Sequence, residues 1–179
     1  MTAAGAQAGP PRPVLGLAVG ITGHRALDPA GLVPLEILIG ELLREIADAA
    51  HDVGRQHANL FHDTVPRLVM LSQLAAGADQ LASRVALDHG YRLHAVLPFA
   101  HAEYGHDFAP GPERDSFDEL FDQCESWWHL PNSRSDGATG YALAGEATVA
   151  QVDVLIAVWD GKASRGPGGT ADVIDYAVR

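Results

Sequence analysis

Short aliphatic runs alternate along this chain with segments whose apolar residues recur every three or four positions. Residues 14–21, 68–71, 93–97 and 154–159 are short, largely aliphatic and contain several β-branched side chains. Runs that are apolar on both faces suit strands of a parallel sheet covered on both sides. A shorter run at 127–130 is a fifth candidate strand. Between the runs lie helical patterns. Asp28-Pro29 places an N-cap before a proline suited to the first helical position, and Leu35, Leu38, Ile39, Leu42, Leu43 and Ile46 then trace one buried helix face. Asp79 is positioned to cap a second helix that runs to His89 and ends at Gly90. Phe117, Leu120 and Phe121 mark a third helix, residues 142–150 a fourth, and Ala171 onward a fifth. Strand and helix in alternation predict an α/β fold: a Rossmann-like, doubly wound, mainly parallel sheet in a three-layer α/β/α arrangement.

The length of 179 residues accommodates one domain, here residues 14–179. With 12 basic and 23 acidic side chains the net charge is −11, which argues against a surface that holds nucleic acid. No apolar stretch is long enough to cross a bilayer, so the domain is expected to make no membrane contact. Cys124 is the single cysteine, which excludes an internal disulfide and any multi-cysteine metal cluster. Residues 1–13 lack the apolar core of a signal peptide, and Pro10, Pro11 and Pro13 favour an extended, mobile tail. A cytoplasmic domain is the expectation. The chain stops inside a helical pattern, so it reads as the N-terminal, truncated part of a longer protein, whose exposed apolar faces favour self-association into a homo-oligomer.

Ligands of such sheets bind beyond the carboxyl ends of the strands. After the first strand comes Gly20-Ile21-Thr22-Gly23-His24-Arg25, in which the glycines admit a close ligand, Thr22 offers a hydroxyl and Arg25 a fork for phosphate. A tight strand-to-helix turn is the alternative reading. The dinucleotide fingerprint is absent, since a third glycine and an acid at the second strand end are missing. After the second strand, Ala76-Gly77-Ala78-Asp79 leads into a helix N-terminus, where Asp79 either joins the site or simply caps the helix. After the third, Pro98, Phe99, His101, Glu103, Tyr104, His106, Asp107 and Phe108 crowd one loop. They can stack a base and hold a ribose, while the two histidines also read as exposed loop residues; the His-Glu-x-x-His order of a zinc site is absent.

The last loop is the most informative. Asp160-Gly161-Lys162-Ala163-Ser164-Arg165-Gly166-Pro167-Gly168-Gly169-Thr170-Ala171-Asp172 sets a glycine-dense turn with two cations before a helix. Those are the requirements of a phosphate cradle, and equally of a plain glycine-rich turn. No Lys-Ser or Lys-Thr follows the last glycine, so it is not a Walker loop. For both glycine loops to meet on one ligand, the strand at 154–159 has to lie beside the strand at 14–21.

Taken in order, Gly20-Ile-Thr-Gly-His-Arg25, Ala76-Gly-Ala-Asp79, Leu97-Pro-Phe99 with Glu103-Tyr104 and Asp107-Phe108, and Gly166-Pro-Gly-Gly-Thr-Ala-Asp172 resemble the SLOG superfamily. This Rossmann-like group, often bacterial, includes the lysine-decarboxylase-like LOG proteins and the DNA-processing protein A fold. The resemblance implies a domain that binds or senses a nucleotide-derived small molecule, with no further cofactor, joined to a C-terminal effector domain. The site residues it points to are Gly20, Thr22, Gly23, His24, Arg25, Gly77, Asp79, Pro98, Phe99, Glu103, Tyr104, Asp160, Lys162, Gly168, Gly169, Thr170 and Asp172. LOG enzymes cleave nucleoside monophosphates with a Pro-Gly-Gly-x-Gly-Thr-x-x-Glu motif. Aligned on Gly169-Thr170, the glutamate position here is Val173, and Asp172 falls about 100° away around the helix. Binding without chemistry is thus the first expectation. The alternative is a phosphoribohydrolase-like enzyme in which Glu103, Asp79 or Asp172 replaces that glutamate.

Overall fold

The aliphatic runs become five strands in the computed structural model, which describes residues 10–164 and 166–179. They are β1 (Gly16–Gly23), β2 (Arg67–Ser72), β3 (Arg92–Leu97), β4 (Ser126–His129) and β5 (Val154–Val158). All pair in parallel, in the order β4-β3-β2-β1-β5. The helices are α1 (Leu32–Gln56), α2 (Ala78–Asp88), α3 (His101–Tyr104), α4 (Pro112–Asp122), α5 (Ala138–Val149) and α6 (Thr170–Ala177). From β1 to β4 the chain steps across the sheet in one direction, and α2 packs against both α1 and α4. It then returns over α5 to the far side of β1, and α6 packs on α5. Right-handed crossovers place these two helix groups on opposite faces, giving the expected three-layer Rossmann-like fold.

The pairing of β5 with β1 (Gly20 opposite Leu155, Thr22 opposite Ala157) is the one the two glycine loops require. Val19, Ile21, Met70, Leu93 and Leu97 from the strands meet Ile39 and Leu43 of α1 and Phe117 and Leu120 of α4 in the core. Burying such side chains contributes about 1.5–3 kcal/mol each.

Several local expectations are corrected. Leu38 and Leu42 belong to no buried face: they are 61% and 37% exposed, because α1 turns Ile39, Leu43 and Ala50 to the core and its apolar stripe is wider than that buried side. The Asp28 carboxylate does accept a backbone bond, from the Ala30 N–H at 3.0 Å, but it caps a single 3-10 turn (Pro29–Gly31) from which α1 continues. Asp79 does not cap α2. The N-cap is Gly77, and Asp79 is the second residue of the helix, with its carboxylate turned back toward β2. The mobile-tail expectation for residues 1–9, and the cation assigned to Arg165, lie outside the described residues. Residues 10–13 are exposed without regular structure, and the Pro13 carbonyl accepts from the His62 N–H at 2.9 Å. Among the described residues no helix is long and apolar enough to cross a membrane.

Candidate ligand-binding site

Chain direction creates the site. Because β1 to β4 run one way across the sheet and β5 lies on the other side of β1, the loops after β1 and β5 diverge and leave a crevice between them. A cleft of about 560 Å³ opens there. Its first wall is Thr22, Gly23, His24 and Arg25 from the end of β1, and its second is the loop from Trp159 to Thr170. Gln73, Ala75 and Asp79 form the floor beside β2, and Tyr104 and Tyr141 close the remaining side.

The β1 loop is fixed by its neighbours. The His24 N–H donates to the Val158 carbonyl at 3.2 Å, and the Ala78 N–H donates to the His24 carbonyl at 3.1 Å. Gly77 passes so close that a Cβ there would lie 2.3 Å from the Arg25 carbonyl oxygen, and its φ of +83° is itself unfavourable for other residues. Gly23 serves the same contact: a Cβ would stand 2.4 Å from that of Ala78 and 2.9 Å from that of Val158. These glycines set the spacing of the β1 loop, β5 and α2, which defines the cleft wall.

The β5 loop is held from within. Asp160 accepts from the Lys162 ammonium at 2.9 Å and the Lys162 N–H at 3.1 Å, and these bonds hold its carboxylate below the usual carboxylate range. His24 Nε2 lies 3.1 Å from the Asp160 N–H, so the two loops touch. Trp159 Nε1 donates to the Lys162 carbonyl at 2.8 Å. Gly168 has φ +80° and leaves no room for a Cβ, which would fall 2.7 Å from the Ala142 nitrogen on α5. Gly169 differs: its backbone is extended (φ −79°, ψ 166°) and a Cβ would meet nothing closer than the Gly166 oxygen at 3.4 Å. It is the N-cap of α6, and no side chain caps that helix. The first α6 N–H groups therefore point out of the helix end with the positive end of its dipole.

Asp79 is the buried acid of the cleft floor. Its carboxylate accepts from the Gln73 N–H at 3.2 Å and the Ser72 hydroxyl at 3.4 Å, and burial pushes its pKa up to about 7 against those bonds. Tyr104 is fully buried within a cluster of aromatic rings that includes Phe99, Phe108 and Phe117, and burial raises its phenol pKa strongly. Tyr141 is pushed up to about 12, by burial and by its hydrogen bond to Asp107.

Of the residues singled out from the sequence, Thr22, Gly23, His24, Arg25, Asp79, Tyr104, Asp160, Lys162, Gly168, Gly169 and Thr170 line the cleft. Six others lie outside it. Gly20 faces Val152 and Leu155, and Gly77 packs beneath the β1 loop. Pro98 and Phe99 are buried, the Phe99 ring edge-on to Tyr141 and close against Gly140. Glu103 accepts from the Arg134 N–H at 2.6 Å, and Asp172 faces a small cavity against α5. Val173, at the position of the LOG glutamate, packs on Gly145 of α5.

The pattern reading passed over Tyr141, Trp159 and the role of Asp107. Asp107, whose side chain is 4% exposed, joins Arg134 and Tyr141 by hydrogen bonds and lies 3.9 Å from Arg25. It thus ties together segments that follow β1, β3 and β4. The sequence marked Asp107 only as part of the crowded loop and of the Asp107-Phe108 motif, with no sign of its partners Arg134 and Tyr141. His101 stacks on Phe117 and pairs with Asp118 at 3.2 Å, away from the cleft. Among the described residues no group of three or more His, Cys, Asp or Glu side chains is placed to hold a metal ion.

No family profile matches the chain, and no curated protein matches it. In fold it is similar to DNA processing protein A (DprA) from Streptococcus pneumoniae, with a TM-score of 0.54 and 18% sequence identity over 90% of this chain. The match covers 47% of that protein, so this chain spans about half its length. The shared feature is the Rossmann-like architecture, which is the fold that the order of motifs resembles.

Proposed function

We propose that this domain binds, as a sensor, a nucleotide or nucleotide-derived small molecule whose phosphate rests on the loop at 161–169 and the N-terminus of α6. The observation that carries this reading is the convergence of the β1 and β5 loops on one cleft at the point where the sheet reverses direction. The uncapped α6 terminus supplies N–H donors, Lys162 and Arg25 supply cationic groups at the walls, and Tyr141 and Trp159 supply aromatic surface. A net charge of −11 favours a small anion over a polynucleotide as the partner.

Binding without catalysis fits best. Val173 offers no acid, and Glu103 and Asp172 lie outside the cleft. Of the three acids weighed from the sequence, only Asp79 lines the cleft, so an enzymatic reading would rest on it.

Gly169→Ala is the direct test. The structure has room for the added methyl within the fold, so the melting temperature should stay close to that of the wild type. The same methyl stands beside the α6 N–H groups. Thermal shifts produced by AMP, GMP, CMP or UMP should shrink at least tenfold in apparent affinity. Undiminished shifts in the folded variant would remove the phosphate assignment. Release of free base from any of the four would make the protein an enzyme, and retardation of single-stranded DNA on a gel would restore a nucleic-acid partner.

A further inference from the structure

We infer that His24 makes anion binding in the cleft proton-coupled: its ring takes up a proton as an anionic group of the ligand settles between the β1 and β5 loops. This rests on the nucleotide reading above and adds to it how occupancy of the site is regulated. The first support is a choice of partners at one atom. His24 Nε2 lies 3.1 Å from the Asp160 backbone nitrogen and 3.2 Å from Asp160 Oδ1. Without a proton, Nε2 accepts from the Asp160 N–H, but its lone pair then faces the carboxylate oxygen. In the imidazolium, Nε2 carries a proton and pairs with the carboxylate, but then opposes the backbone donor. Each arrangement satisfies one neighbour and offends the other, so a nearby charge decides between them.

The second support is the state of that neighbour. Asp160 accepts from the Lys162 ammonium and the Lys162 N–H, and these bonds, with that of His24, hold its carboxylate below the usual range. It is therefore ionised wherever an imidazole titrates. Its negative charge is already shared with Lys162, 2.9 Å away, which leaves little of it to balance a charged His24 ring. An anionic group entering the cleft supplies the balance and favours the imidazolium.

The third support is placement. The His24 backbone is held on both sides, by Val158 through its N–H and by Ala78 through its carbonyl, so the ring is the part of this residue that can respond. That ring lies where the two cleft walls touch, with the side chain 36% exposed. The charged and titratable groups facing it are Asp160 and Lys162 on the β5 loop, Arg25 next in the chain, and Asp79 and Tyr104 on the floor and far side of the cleft. Burial pushes Asp79 up to about 7 and raises the Tyr104 phenol strongly. Asp79 thus also titrates near neutral pH, and a variant has to separate its proton from that of His24.

Long-range 1H–15N NMR spectra of the histidine rings of the full chain, recorded from pH 5.5 to 8.5 with and without nucleotide, test this. The nucleotide is the one of AMP, GMP, CMP and UMP that binds most tightly. His24→Gln identifies the His24 signals, because glutamine keeps an acceptor for the Asp160 N–H and carries no titrating group. Bound nucleotide should raise the pH midpoint of the His24 ring by about one pH unit, equivalent to about a tenfold difference in affinity between the two ring states. By calorimetry, the ratio of affinities at pH 6 and pH 8 should accordingly be about fivefold larger for the wild type than for His24→Gln. Titration of the ligand phosphate and of Asp79 is common to both proteins and cancels in that comparison. An unmoved His24 midpoint with nucleotide bound would overturn the role of His24 and leave the nucleotide site standing. Equal ratios in the two proteins would assign the proton to Asp79 or to the ligand, against this inference. Absence of binding by all four nucleotides at both pH values would overturn the nucleotide reading, and this inference with it.

Discussion

The Ala78 N–H donates to the His24 carbonyl at 3.1 Å, so the first residue of α2 is bonded directly to the loop that follows β1. Gly77 makes this possible. Its φ of +83° turns the chain into the helix, and its missing side chain lets the two backbones meet. Gly77→Ala adds a methyl 2.3 Å from a carbonyl oxygen in a conformation that L-residues resist. The variant should lose about 2–4 kcal/mol of stability, combining left-handed strain with the displaced loop. Urea denaturation measures the loss, and a variant within about 0.5 kcal/mol of wild type would show that the loops tolerate separation.

Arg25 and Asp107 should separate binding from stability. Arg25 is half exposed, 3.9 Å from Asp107, and lies over the Phe108 ring at 5.8 Å. Arg25→Ala should cost no more than about 1 kcal/mol of stability while weakening nucleotide binding by about 1–3 kcal/mol. Asp107→Ala leaves the Tyr141 hydroxyl and Arg134 without their partner and should cost about 1–3 kcal/mol of stability. Thermal denaturation with and without ligand compares the two. A reversed order, with Arg25 structural and Asp107 dispensable, would contradict the assignment.

The buried acid also predicts a pH dependence. Burial raises the Asp79 pKa to about 7 in the folded chain from 3.8. Between those values the folded state holds a proton that the unfolded state has released. The contribution of Asp79 to stability therefore falls as pH rises from about 4 to 7 and is constant above that window. Asp79→Asn removes this penalty, so its stability relative to wild type should rise across the same interval, by an amount on the order of 4 kcal/mol at pH 8. Denaturation at pH 5 and pH 8 reads the difference. A stability difference that does not change with pH would mean that Asp79 titrates as an exposed acid does.

The strands and most helices were legible in the sequence because each is a local periodic pattern. The aliphatic run at 154–159 lies within one residue of β5, and the cluster Phe117, Leu120 and Phe121 falls inside α4. The same patterns misplaced Leu38 and Leu42. Periodicity reports which residues share a helix face, whereas the width of the buried stripe depends on how the helix is covered, and α1 buries Ile39, Leu43 and Ala50 while Leu38 and Leu42 stay exposed.

The sequence by itself determined the alternation of strands and helices, the acidic surface charge and the glycine loops from which a ligand site is read. Only the tertiary structure decided which of those residues share a cleft. Asp79 and Glu103 are both acids in loop-to-helix segments, yet one reaches the cleft floor and the other bonds the Arg134 backbone. Tyr141 joins the site from α5 although 34 residues separate it from its partner Asp107. The reason is geometric: a hydrogen bond between distant residues depends on how whole elements are stacked, and stacking is set by contacts such as Gly77 beneath His24, which no local pattern encodes.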